Sequence, residues 1–127
     1  MKKFLALFLG FLLASSAFAA DVSRWMTTDR GKKVHFQFHT NTSTVTVDTA
    51  SASLRVVPDA LILAISLWMP MDMPGGGHGS TDLDFAQKDD GSWLVTEIDF
   101  SMPGSWEVHV RFKDGDAGIL KIYVDGG

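Results

Sequence analysis

Three methionines stand at alternate positions in Trp68-Met69-Pro70-Met71-Asp72-Met73-Pro74-Gly75-Gly76-Gly77-His78-Gly79, with a histidine shortly after them. On an extended chain, positions i, i+2 and i+4 share one face and lie about 6.5 to 7 Å apart per step. Thioether sulfurs on flexible stems can converge from that spacing, and the glycines let His78 fold back toward them. Thioethers and an imidazole make a soft, uncharged donor set that selects Cu(I) over zinc or hard cations. A further methionine, Met102, lies in Phe100-Ser101-Met102-Pro103-Gly104-Ser105-Trp106, ahead of a Pro-Gly turn. If both turns sit at one end of the fold, Met102 joins Met71, Met73 and His78 in one site. Two blander roles fit the same residues: methionine fills gaps in cores, and an exposed greasy loop docks partners. Pro70 and Pro74 oppose a regular central strand, which predicts that these methionines lie on an end loop.

The elements that must carry this loop follow a two-residue period. In Lys33-Val34-His35-Phe36-Gln37-Phe38-His39 the apolar residues alternate with polar ones, as a half-buried strand requires. Ser43 to Asp48 alternates again, and Asn41 between the two runs predicts a hairpin. Further strands are expected at Ser53 to Val57, Leu61 to Trp68, Thr81 to Gln87, Ser92 to Phe100, Ser105 to Phe112 and Gly118 to Val124. Turn residues separate them: Pro58-Asp59, Pro70 through Gly79, Asp89-Asp90-Gly91, Pro103-Gly104 and Asp114-Gly115-Asp116. Leu61-Ile62-Leu63-Ala64-Ile65 reads as a central strand apolar on both faces, with a helix starting near Pro58-Asp59 as the lesser alternative. Short strands at this spacing, without a sustained helical period, predict an antiparallel β-sandwich.

Composition narrows the function. Met1-Lys2-Lys3, the apolar run Phe4 to Ala14 and the Ala17-Phe18-Ala19 site have the form of a secretory signal peptide, residues 1–19, cleaved after Ala19. Its loss removes Lys2 and Lys3 from the 11 basic residues, leaving 9 against 15 acidic ones on a single domain, residues 20–127. A chain this acidic, without a basic cluster beyond Lys32-Lys33, is a poor partner for nucleic acid. No second apolar stretch reaches the roughly 20 residues of a membrane span, so none is expected after cleavage; an uncleaved anchor is the alternative. The 127 residues include no cysteine, which removes disulfides, thiolate catalysis and Cys-based zinc sites. Any soft metal then falls to Met and His.

The Met-Pro-x-Asp-Met…His-Gly loop, the later Gly91-Ser92-Trp93 and the Met102-Pro103-Gly104-Ser105-Trp106 turn together resemble the YtkA-like family, related to the FixH family. The resemblance covers roughly Leu54 to Val124 and is most specific at Met69 to His78 and Met102 to Trp106. It implies a small exported or membrane-anchored immunoglobulin-like domain in periplasmic copper handling, near cytochrome oxidase assembly or metal efflux. By position it implies Met71, Met73, His78 and Met102 as ligands, with Met69 as a spare.

Other residues carry weaker signals. Trp68 and Trp106 adjoin the methionines and could shield Cu(I) through a cation–π contact, although strand-end aromatics more often belong to the core. His35 and His39 share a strand face roughly 13 Å apart, too far for one metal. His109 reads as surface. Asp114-Gly115-Asp116 lacks the ligand pattern of a calcium loop and reads as a solvated turn. Gly75 to Ser80 lacks the lysine of a phosphate loop, and no catalytic order of Ser, His and Asp emerges. The expectation is an all-β protein, an antiparallel immunoglobulin-like β-sandwich of about seven strands, acting in the periplasm as a Cu(I) chaperone or buffer. The alternative is a non-enzymatic interaction module whose Met-rich loop contacts a membrane complex or an exported partner.

Overall fold

Alternation of buried and exposed residues builds the strands of the computed structural model. It describes residues 21–71, 77–80 and 82–127; the expected signal peptide and Met73 lie outside the described residues. Nine strands are present among them: β1 Val22–Thr27, β2 Lys33–His39, β3 Ser51–Val57, β4 Ile62–Pro70, β5 Gly77–Gly79, β6 Asp84–Gln87, β7 Trp93–Thr96, β8 Gly104–Phe112 and β9 Ala117–Val124. They form one sheet in the order β1-β2-β3-β7-β6 and a second in the order β5-β4-β8-β9, with all strand pairs antiparallel. From β3 onward this is the immunoglobulin arrangement: B, E and D strands on one face, C′, C, F and G on the other.

The core is the sum of the inward sets. Val34, Phe36 and Phe38 of β2 and Ala52, Leu54 and Val56 of β3 face Leu67 of β4 and Trp106, Val108, Val110 and Phe112 of β8, all buried. Phe36 is 1% exposed and stacks on Phe38 with ring centroids 5.8 Å apart. A Phe36→Ala variant is expected to lose about 3–5 kcal/mol of stability, because apolar transfer and an unfilled cavity add; urea unfolding measures it.

Several expectations need correction. Among the described residues the strands number nine rather than about seven, because β1 and β5 went unseen. In β1 only Val22 and Met26 are buried, with Arg24 exposed between them, so the edge strand lacks a clean alternation. Ser43 to Asp48 is not a strand, and no hairpin forms at Asn41. Both sides of β2 are already occupied, by β1 and β3, and the segment instead crosses to the second sheet. There Thr46 bridges Asp125 in parallel, and Val47 and Val45 exchange backbone hydrogen bonds with Asp125. The run from Ser92 stops pairing at Thr96, since Glu97 takes φ 57°, although Ile98 and Phe100 stay buried. Leu61 and Leu63 are about half exposed, so the start of β4 is not apolar-packed on both faces. The described part of β5 reaches β4 only at residues 68–70.

Strand direction then sorts the turns. The segments 28–32, 58–61, 88–92 and 113–116 gather at one end of the sandwich; the end of β4 at Pro70 and the 97–103 loop lie at the other.

Candidate metal centre

The methionine end is assembled from β4, β5 and the entry to β8. Met69 and Pro70 do not belong to a loop, as their sequence implied, but finish β4, and Gly77–Gly79 returns beside them as β5. The register pairs Trp68 with Gly79, Met69 with His78 and Pro70 with Gly77. Pro70 is tolerated because it sits at the strand's last residue, where the ladder ends. His78 is thus the Cα partner of Met69, close to 5 Å across an antiparallel pair.

Met69 is buried, and its terminal methyl lies where a Cβ at position 104 would stand. Gly104 also takes φ 138°, a conformation that favours glycine. The side chain of Met69 therefore reaches the residue two places beyond Met102. Met102 itself is half-buried against the core, and its carbonyl oxygen accepts a 2.9 Å hydrogen bond from the Trp106 indole N–H. Trp106 is buried and meets Phe100 edge to face at 5.5 Å, which ties the Met102 loop to the core. Met71, one pleat beyond Met69, is 37% exposed at the rim.

The structure thus brings Met69, the His78 backbone and the Met102 loop to one end, with Met71 at its lip; Met73 lies outside the described residues. Beside them a hollow of about 280 Å³ is lined by Gly79, Ser80, Ser101, Trp106, Glu97 and Asp99. The two carboxylates give this approach a negative potential that draws cations.

Trp68 corrects one expectation. It is not core: its indole lies on the outer face, across the backbone of Gly77 and Gly79, and it is 38% exposed. Trp106 is core, as strand-end aromatics usually are, and so is Trp93. The three histidines outside the loop act separately. His35 stacks against Trp25 at 4.5 Å between centroids; His39 Nε2 is 2.8 Å from the Ser53 hydroxyl; His109 Nε2 is 2.9 Å from Glu107 Oε1. Among the described residues, no group of three or more from His, Asp and Glu is placed to hold a metal ion.

At the opposite end, Asp116 is not solvated but buried at 2% exposure. Its carboxylate accepts hydrogen bonds from the Thr28 hydroxyl at 2.6 Å, Lys32 Nζ at 2.9 Å and the backbone N–H groups of Arg30 and Ala117. Lys32 Nζ also reaches Asp114 at 2.7 Å and lies 5.2 Å from the centre of the Phe112 ring. Burial opposes ionisation of Asp116, but these donors outweigh it and hold the carboxyl well below the usual range. Hydrogen bonds to Asp114 and Asp116 raise Lys32 above its ordinary value. This cluster joins the β1–β2 turn to the β8–β9 turn, with each carboxylate paired to Lys32, so its role is structural.

Sequence reasoning missed the pairing of Met69 with His78. The available signal was the alternation Gly77-His78-Gly79, because glycines at every second position mark a strand that another group crosses closely. The profile of the YtkA-like family matches residues 33–111. Searches of curated proteins and of solved structures return no match. Among the described residues, no helix is long and apolar enough to cross a membrane.

Proposed function

The chain belongs to the YtkA-like family, and from that premise we propose that it is an exported, periplasmic copper-binding domain, a Cu(I) chaperone or buffer. The ligands come from Met71, Met73, His78, Met102 and Met69, three or four of which suffice for one ion. The observation that carries this reading is the juxtaposition of Met69 with His78 across β4 and β5, with the Met69 methyl against Gly104, beside Met102. Sulfur donors at the end of β4, with a histidine on the adjoining strand, suit a soft monovalent ion. Thioethers carry no proton to lose and no charge, so they collect Cu(I) without proton release and yield it to a better-matched set by ligand exchange. A cytochrome oxidase assembly protein or a metal efflux protein is the kind of partner that would receive it.

Titration of the mature protein with Cu(I) under reducing conditions tests the reading. One equivalent should bind tightly, and a folded Met71→Ile, Met73→Ile variant should lose that stoichiometric binding. Unchanged binding in the variant excludes Met71 and Met73 as ligands.

A second reading rests on exposure. Trp68, Met71, Ile119 and Tyr123 are exposed large apolar side chains, all carried on or beside the four-stranded sheet, which fits an interaction module. A His78→Ala change separates the two: it weakens metal binding if the site is a ligand set, and leaves partner binding intact if the face alone matters.

A further inference from the structure

The strand that carries His78 is short and held unequally along its length. Its exit is fixed twice: Ser80 N–H donates to the Leu67 carbonyl at 3.0 Å, and the Leu67 N–H donates to Ser80 Oγ at 2.9 Å. Toward the hairpin tip the cover is Trp68. A Cβ added at Gly77 would fall within the indole, against Cζ2 and Cη2, and one added at Gly79 would lie 3.1 Å from Cε3. The ring therefore spans the outer side of β5 from Gly79 to Gly77, in a place that only glycine leaves open. Its other surroundings do not demand a tryptophan: it is 38% exposed and stands outside the buried core.

We propose that Trp68 is the positioning residue of the metal site, clamping β5 onto β4 and so holding His78 in register with Met69. The inference rests on the Cu(I) reading for its functional consequence, but its structural half stands on the packing alone. Trp68 touches the strand from the face opposite Met69, so it acts on the metal through the backbone of β5 and not as a ligand. Release of copper then follows from lifting of β5, whose ladder to β4 spans only residues 68–70 among the described residues. Local opening of a short, solvent-facing segment needs far less energy than global unfolding.

Two measurements on the mature chain test this, using Cu(I) itself as the probe. Amide hydrogen exchange in the metal-free protein should speed up at His78 in Trp68→Ala, stay near native in Trp68→Phe, and remain native across β8 and β9 in both. Cu(I) affinity should fall roughly ten- to hundredfold in Trp68→Ala, the range for groups that orient ligands, and recover largely in Trp68→Phe. A Gly77→Ala variant, which expels the ring from the other side, should reproduce both effects. Native exchange at His78 in Trp68→Ala overturns the clamp, and so does native copper affinity in a variant whose β5 has loosened. If the wild type binds no Cu(I), the exchange result still decides the clamp, and it is the copper reading that has failed.

Discussion

A His78→Ala, Met102→Ile double variant is expected to bind Cu(I) about a hundredfold more weakly than the native chain, or worse, since removing ligands exceeds the cost of disturbing the groups behind them. The two residues belong to different elements, His78 to β5 and Met102 to the loop before β8. The pair thus strikes both sides of the site at once. Isoleucine keeps most of the volume of Met102 against the core, so stability should change little; far-UV circular dichroism on heating checks that the variant is folded. Affinity is read by competition with a chromophoric Cu(I) chelator under reducing conditions. Because the ligands share one ion, the loss in the double variant should differ from the sum of the two single losses, a non-additivity that independent surface sites do not give. Additive, small effects would mean that the two residues do not meet on one metal.

The largest effect on stability is expected from Asp116→Ala. It strips the buried Lys32 ammonium of its inner partner and leaves the Thr28 hydroxyl and two backbone N–H groups without their acceptor. Breaking a buried pair from one side costs more than the pair contributes, because the remaining charge stays desolvated. In a domain of this size the thermal midpoint should drop by roughly 10 °C or more. The pH dependence gives a second signature. The folded-state pKa of Asp116 is depressed, so its contribution is complete above the ordinary carboxylate range and is lost as pH falls through that range and below it. Lys32 is raised, so its contribution is complete below the ordinary lysine range and is lost as pH climbs through the raised value. Wild-type stability should therefore weaken at both extremes, and an Asp116→Asn variant should lose much of the acid limb. A variant as stable as wild type at neutral pH, with the same acid limb, contradicts the structural role of the cluster.

How far the sequence reached differs between the fold and the site. The buried sets of β2, β3, β8 and β9 were legible because each strand has one wet face and one dry face, and period two records that directly. Ser43 to Asp48 has the same period and misled, since alternation reports which side chains are buried and not whether a ladder partner remains. Val45 is buried and the segment still joins no sheet beyond one bridge. The methionines were legible as chemistry, because neither their type nor their spacing depends on the fold. Their placement was not: the Met69–His78 pairing depends on a three-residue strand opposite a tryptophan, and Met102 joins them only through the crossover that sets β4 beside β8. The Lys32–Asp116 pair was invisible for the same reason, as its partners stand 84 residues apart.

X-ray absorption at the copper edge of the Cu(I)-loaded mature protein tests the metal site. A three- or four-coordinate Cu(I) ion is expected, its shell dominated by sulfur, with one imidazole nitrogen that disappears in His78→Ala. A shell of nitrogen and oxygen alone, or a sulfur shell unchanged when Met71, Met73 and Met102 are replaced by isoleucine, would contradict it.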